Sequence, residues 1–265
     1  MDKNPSDQPQ RIVEMDRSSL SNGMESASVP TWISTVSVTK ERKPFRASRN
    51  EKQLADPGTA RVNVAASQES PNGTTANDWA ARHSGRTVLQ QHCDFFDSDH
   101  DGIIYPSDTF QGFWKLGFGF WLSLLAVCII HANFSYPTVN SWIPDPFFRV
   151  YVANIYKCKH GSDTGAYDTE GRFVPQKFED IFSKYANGKD YLSLWELTCA
   201  LKGQRLIADP IGWFGAFFEW LATYILLWPE DGKLRKEDIR GVYDGSIFYT
   251  IASRRAMNQT GVSQQ

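Results

Sequence analysis

Residues 97–108 read DSDHDGIIYPSD. As a twelve-residue loop this stretch puts Asp97, Asp99 and Asp101 at positions 1, 3 and 5, Gly102 at position 6 and the Ile103 carbonyl at position 7. Ile104 supplies the buried aliphatic of position 8. This is the ligand order of an EF-hand calcium loop. A hard cation takes oxygen ligands only, one short coil must bring them to a point, and the glycine permits the sharp turn. Position 12 is Asp108, where a Glu would grip calcium with both oxygens. One methylene shorter, Asp108 implies a single-oxygen contact or a tightened loop, hence weaker calcium and a relative gain for magnesium. The expected metal ligands are Asp97, Asp99, Asp101, Ile103 and Asp108.

The flanks extend the pattern. An entering helix turns inward the residues one, four, five and eight places before the loop, here Phe96, Cys93, His92 and Leu89. After the loop, Phe113 and Leu116 face inward. His92 therefore stands where a Val or Leu is the rule. It is either a core histidine with a hydrogen-bond partner or a ligand for something held in the interior.

The 265-residue chain has room for one or two domains, and its net charge of -2 gives no general attraction to nucleic acid. The four cysteines, Cys93, Cys128, Cys158 and Cys199, form no CxxC or CxxCH spacing, so no disulfide framework, structural zinc or covalently attached haem is expected. The first residues, MDKNPSDQPQ, lack the apolar core of a signal peptide, which implies a start in the reducing cytosol.

Residues 1–80 are polar, without sustained periodicity, and read as mostly disordered. Their basic cluster Lys40, Arg42, Lys43, Arg46 and Arg49 reads as a solvated tail or a contact for an anionic surface. LGFGFWLSLLAVCII, residues 116–130, carries no charge but falls short of the roughly 20 apolar residues of a transmembrane helix. Pro137, Pro144 and Pro146 follow, so NFSYPTVNSWIPDPFF reads as a sharp turn. Residues 116–146 are thus either a hairpin dipping into one lipid leaflet or a core helix and a loop. Residues 147–160 read as a helix ending in the turn His160-Gly161-Ser162-Asp163. Phe178, Ile181, Phe182 and Tyr185 mark a short amphipathic helix. Two ligand-poor copies of the first loop follow: Leu192 and Glu196 occupy positions 8 and 12 of one, Leu234 and Asp238 those of the other. One of them could pair with the calcium loop. Residues 211–228, IGWFGAFFEWLATYILLW, carry Glu219 as their only charge and read as a core helix or one lining a hydrophobic pocket. Residues 255–265 read as a frayed tail.

LQQHCDFFDSDHDGIIYPSDTFQGFWKLGF, SYPTVNSWIPDPFF, KHGSDTGAYDTEGRF, FEDIFSKYA and YDGSIF occur in this order over residues 85–252 and resemble the caleosins. The resemblance implies a mainly α protein: an EF-hand helix–loop–helix at 83–115, a hydrophobic hairpin with a proline knot at 116–146 and a helical region at 147–254. Outside the resemblance, composition predicts a disordered extension at 1–82 and a tail at 255–265. The resemblance implies calcium and haem b as cofactors, with His92 and His160 as the residues linked to haem and to catalysis. The implied activity is that of a peroxygenase, which uses fatty-acid hydroperoxides as oxygen donor to hydroxylate, epoxidise or sulfoxidise lipophilic substrates such as unsaturated fatty acids, without NADPH. The implied location is the cytoplasmic face of a lipid droplet monolayer or of the endoplasmic reticulum (microsomal) membrane. A non-catalytic, calcium-responsive droplet coat or docking protein is the alternative, and nucleic acid is not an expected partner. Asp108, Asp145, Arg149 and His131 depart from the family pattern. Asp163, Asp168 and Glu170 are either partners of a haem-linked histidine or ordinary turn residues. The aromatics Trp213, Phe217 and Trp220 could house an acyl chain.

Overall fold

The computed structural model describes residues 54–259, and these are mainly helical. Helix α1 spans Trp79–Arg82 and α2 spans Val88–Asp94. Thr87 starts α2 with a reciprocal cap: its hydroxyl accepts from Gln90 N, and the Gln90 side chain accepts from Thr87 N at 2.9 Å. The 97–108 loop follows and contains β1 (Ile103–Ile104), then α3 (Pro106–Leu116) and α4 (Gly119–Thr138). After an irregular turn come β2 (Val150–Tyr151) and a 3₁₀ segment, Val152–Cys158. The remainder is α5 (Pro175–Tyr185), β3 (Tyr191–Ser193), α6 (Leu194–Gln204), α7 (Pro210–Leu227), β4 (Lys233–Arg235), α8 (Lys236–Tyr243) and α9 (Ser246–Gln259).

Two antiparallel ribbons organise these helices. β3 pairs with β4 through Leu192 opposite Leu234. The two ligand-poor loops therefore pair with each other, and neither supports the 97–108 loop. Both leucines are fully buried and join Phe173, Phe178, Ile181 and Ile239 in the main core. β1 pairs instead with β2, Ile104 opposite Val150, over a smaller core of Cys93, Val152 and Ile155.

Four further expectations are corrected. Residues 54–82 are not disordered: Leu54, Ala65, Ala66 and Trp79 are buried, and Arg61 bridges to Phe173. Polarity there is met by partners, since the Ser67 and Ser70 hydroxyls donate to Glu237 at 2.5 and 2.6 Å. The basic cluster at 40–49 lies outside the described residues. Secondly, α4 runs through Pro137 to Thr138. Proline near a helix end disturbs little, because few intrahelical bonds follow it. The Thr138 hydroxyl then donates to the Phe134 carbonyl at 2.8 Å and accepts from Tyr151 N at 3.1 Å, stitching the helix end to β2. Thirdly, residues 147–160 form β2 and the 3₁₀ segment, and α9 carries the chain in helix to Gln259. Fourthly, α7 is no core helix: Ile211, Phe214 and Phe217 are exposed, and Ala216 and Trp220 face the interior. α4 and α7 are each long and apolar enough to cross a membrane.

The turn between α4 and β2 is held by Asp145 and Arg149. Asp145 is buried and accepts from Phe147 N, Arg149 Nε and the Tyr151 hydroxyl at 2.8–2.9 Å. Burial raises its pKa, but these hydrogen bonds win and hold it below the usual carboxylate range. His131 ties the same region to α3. Its Nδ1 lies 2.6 Å from the Phe148 carbonyl and its Nε2 2.8 Å from the Thr109 hydroxyl, so one neutral tautomer satisfies both.

Candidate functional site

The loop side chains converge as a cation site would. Asp97, Asp99 and Asp101 each bring an oxygen within 4.8 Å of the other two. Asp97 is fully buried, three residues past the end of α2, while the other two are exposed. Burial raises the Asp97 pKa, opposed by Arg86 and by the Gly102 amide. Three carboxylates so close repel one another, Arg86 at 3.6 Å from Asp97 offsets part of that cost, and a divalent cation would offset more. Ile103 sits in β1 and donates its N–H to Asp101 Oδ1 at 2.7 Å. Asp108 is not among the converging carboxylates. Its Oδ2 accepts from Tyr105 N at 2.9 Å, capping α3.

Three residues before the loop, buried Asp94 gathers a network. It accepts from Arg86 Nη1 at 2.7 Å, and the Tyr249 hydroxyl of α9 donates to it at 2.9 Å. His83 Nε2 lies 3.2 Å away. Arg86 is also 3.6 Å from Asp97. A cavity of about 1020 Å³ opens beside this network, lined by Trp79, Leu116, Phe118, Trp228, Tyr249 and Arg255. Neither His92 nor His160 lines it.

His92 lies on α2 and meets the opposite end of the chain. Its Nδ1 donates to the Val242 carbonyl at 2.7 Å, and Phe248 packs against the ring with centroids 5.1 Å apart. Burial lowers its pKa, so the ring is neutral. No hydrogen bond among the described residues engages Nε2. With Nδ1–H anchored on a carbonyl and the Nε2 lone pair uncommitted, His92 fits the requirement for an iron ligand. Gly245 makes this approach possible: at φ 75°, a Cβ there would lie 2.6 Å from the Gln91 carbonyl oxygen and 3.0 Å from His92 Cα.

His160 follows the 3₁₀ segment and packs on α7. Its Nδ1 is 3.7 Å from Asp209 and its Nε2 3.7 Å from Glu219, and both nitrogens are sealed from solvent without a hydrogen-bond partner. Glu219 also bears electrostatically on His92, so one carboxylate relates the two histidines. Asp209 caps α7 by accepting from Gly212 N and holds the His160 turn by accepting from Ser162 N. Glu219 and Asp209 are the residues that sequence spacing missed. The available signal was a single charge in the apolar 211–228 run.

The other acidic candidates are turn residues. Asp163 pairs with Lys159 at 3.1 Å and accepts from Gly165 N, and Asp168 accepts from Glu170 N, Arg172 N and Arg172 Nε. Glu170 is exposed. Trp213, Phe217 and Trp220 sit in different surroundings: Trp220 is buried, Phe217 is exposed, and Trp213 donates to the Leu206 carbonyl.

Comparison with known proteins places this geometry. The family model described as Caleosin related protein matches residues 84–252. The chain belongs to the caleosin family. It is 44% identical over 232 residues to a Peroxygenase of Lilium longiflorum, covering 87% of this chain and 95% of that protein. It is 41% identical over 169 residues to Probable peroxygenase 4 of Arabidopsis thaliana, covering 63% of this chain and 87% of the relative. A Probable inactive peroxygenase-like protein of Arabidopsis thaliana is 32% identical over 168 residues, 62% of this chain and 78% of that one. No solved structure matches.

Proposed function

We propose that this caleosin is a haem-dependent peroxygenase that binds calcium and works at a lipid surface. The observation that carries the reading is His92, a half-buried neutral imidazole with Nδ1 fixed by the Val242 carbonyl and Nε2 uncommitted. The relatives named as peroxygenases support it. Haem b, if held by His92, would supply the redox chemistry for hydroperoxide-dependent hydroxylation, epoxidation or sulfoxidation, with no need of NADPH. The chain's own part is to fix the tautomer through Val242 and to hold the ring against Phe248. Asp97, Asp99 and Asp101 bind calcium, with the Ile103 carbonyl and, once drawn off its capping bond, Asp108. Because α2 ends at the loop and carries His92, cation binding steadies the histidine's own helix.

The lipid contact is read from the exposed apolar faces of α4 and α7 and the turns beside them. Trp121, Trp142, Ile143, Ile207, Ile211 and Phe214 all face outward, Trp142 at 95% exposure and Ile207 at 93%. Apolar side chains exposed on this scale need a partner, and Glu219 is the only charged residue within either helix. The partner in this reading is a lipid droplet monolayer or the cytoplasmic leaflet of the endoplasmic reticulum. Protease protection in microsomes tests it: both chain ends should be digested from the cytoplasmic side, and ends on opposite sides would sink the one-leaflet reading.

The enzyme reading is tested by haem uptake and turnover. The full-length protein supplied with haem should show a Soret band and sulfoxidise a thioether with cumene hydroperoxide in the absence of NADPH. His92→Val should lose both while keeping its helical circular dichroism. A native protein that takes up no haem would leave the non-catalytic coat reading standing.

A further inference from the structure

The cavity of about 1020 Å³ beside the Asp94 network has no part in the haem reading, since neither His92 nor His160 lines it. It lies where the two outward-facing apolar helices join the folded body. Leu116 and Phe118, which lead into α4, line one side, and residues 225–228 at the end of α7 line another. From α9 come Ile251, Arg254 and Arg255.

The charges on this wall are unequally committed. Glu237 is held by Arg240 and two serine hydroxyls, and Asp94 by Arg86 and Tyr249. Arg82 donates to the Asn77 carbonyl at 2.7 Å and lies over the Trp79 ring. Arg254 bears electrostatically on Asp238, but no hydrogen bond or ion pair among the described residues engages the guanidinium of Arg254 or of Arg255. Arg255 is aimed by the backbone opposite it. Gly117 ends α3 at φ 93°, and its bare Cα receives the guanidinium: a Cβ there would run into Arg255 Cζ, Nε and Nη2. The guanidinium thus sits at the carbonyl end of α3, where the helix dipole favours a cation.

A bare anion has no use for Leu116, Phe118 and Trp228, and a neutral acyl chain has none for the arginines. An anionic amphiphile meets both. Guanidinium forks match phosphate, whose several oxygens can take more than one of them, better than they match a single carboxylate. We propose that this cavity binds the phosphate headgroup of an anionic phospholipid, with Arg255 and Arg254 on the phosphate and the first part of an acyl chain along Phe118 and Trp228. This rests on the lipid-surface reading of α4 and α7 and deepens it: those helices attach to any lipid surface, and the cavity selects the headgroup. The placement agrees. Both helices leave the folded body here, and Trp228, 70% exposed, is the kind of side chain that settles at headgroup level.

Vesicle flotation of the full chain tests this, using phosphatidylcholine alone and phosphatidylcholine with added phosphatidic acid. The native protein should bind both and prefer the second by at least about tenfold, as charge-assisted hydrogen bonds allow. Arg255→Gln should remove that preference and leave binding to phosphatidylcholine unchanged. Lys202→Gln removes an equal charge from the exposed side of α6, off the cavity wall, and should keep the preference within about twofold, because a distant charge is screened. Gly117→Ala keeps every charge but pushes the Arg255 guanidinium aside, so it too should lose the preference. Gly119→Ala, at φ 72° with open space at its would-be Cβ, carries the backbone strain alone and should keep it. No preference in the native protein, or equal losses in Arg255→Gln and Lys202→Gln, would refute the site. Calorimetry with soluble dihexanoyl phosphatidic acid, inorganic phosphate and hexanoate separates the ligand chemistries. The lipid should bind saturably, and the two small anions at least about tenfold more weakly. Equal binding of either anion would overturn the headgroup assignment. If the native protein floats with neither vesicle, the lipid-surface reading of the helices fails by itself, and the calorimetry still decides the cavity.

Discussion

Replacing Gly245 by alanine should strike the support of His92 without touching the ring. Gly245 joins α8 to α9 at φ 75°, in the left-handed region, and its N–H donates to the same Val242 carbonyl that receives His92 Nδ1. Alanine there carries a conformational cost of about 1–2 kcal/mol. It also drives a methyl to 2.6 Å from the Gln91 carbonyl oxygen and 3.0 Å from His92 Cα, both backbone atoms of α2 that cannot swing away. Overpacking of that kind typically costs a further ~1–3 kcal/mol. Gly232→Ala is the matched control, since Gly232 has φ 68° and open space around its would-be Cβ. It should show the conformational cost alone. At roughly 2–4 °C per kcal/mol for a chain of this size, the two variants should differ by several degrees in melting temperature. Haem titration adds a second readout. Pushing the 242–245 turn off α2 loosens the bond that orients His92, so Gly245→Ala should bind haem about 10–100-fold more weakly, while Gly232→Ala should match the native protein. Two variants that melt together and hold haem equally would refute the idea that this turn braces the histidine.

Three further outcomes follow from the same contacts. Asp108→Glu should tighten calcium binding measured by calorimetry, because the longer arm can reach the ion while its helix stays capped; an unchanged affinity would count against Asp108 as a ligand. Glu237 is raised by burial but held below the usual range by the Ser67 and Ser70 hydroxyls and Arg240. The stability it contributes is therefore complete above the unfolded carboxylate value and lost as pH falls through the lower folded value, so Glu237→Gln should flatten the acid limb of a melting-temperature profile. His131→Val should strand the Phe148 carbonyl and the Thr109 hydroxyl, at ~1–3 kcal/mol each, and lower the denaturation midpoint with haem uptake unchanged.

The parts legible in the sequence were those with a local period or a short spacing. The 97–108 loop showed its carboxylates because an ion site built from one coil is written in consecutive residues. Leu192 and Leu234 stood out because each sits at the one loop position that must be buried and aliphatic. Which loops pair was not legible. The partner of Ile104 is Val150, in a segment with no loop pattern, and the choice depends on where the α4 turn delivers the chain. His92 was flagged by its inward register, but the Val242 carbonyl that orients it lies 150 residues away. The carboxylates beside His160 were hidden for the same reason: Asp209 and Glu219 come from another element, and only the isolation of Glu219 in an apolar run hinted at a task.

Composition misled most over residues 54–82, where polarity averaged over a long segment concealed a few deeply buried side chains. Trp79 decides the matter experimentally. It lies before residue 84, where the family match begins, yet it is 5% exposed. Its indole N–H donates to the buried Gln91 side chain at 2.9 Å, and its ring stacks on His83 with centroids 4.0 Å apart and meets Tyr249 of α9 edge-on. Gln91 and His92 are neighbours on α2, so the contact braces the helix that leads into the 97–108 loop and carries the candidate iron ligand. Trp79→Ala should cost about 3–5 kcal/mol, as for other buried aromatics. Trp79→Phe, which keeps a ring but leaves the Gln91 oxygen unpaired, should cost less, roughly 1–3 kcal/mol. A disordered segment would tolerate both changes within about 0.5 kcal/mol. Chemical denaturation of the two full-length variants separates the cases: a graded loss places this segment within the folded unit, and a shared null result would return it to the solvent.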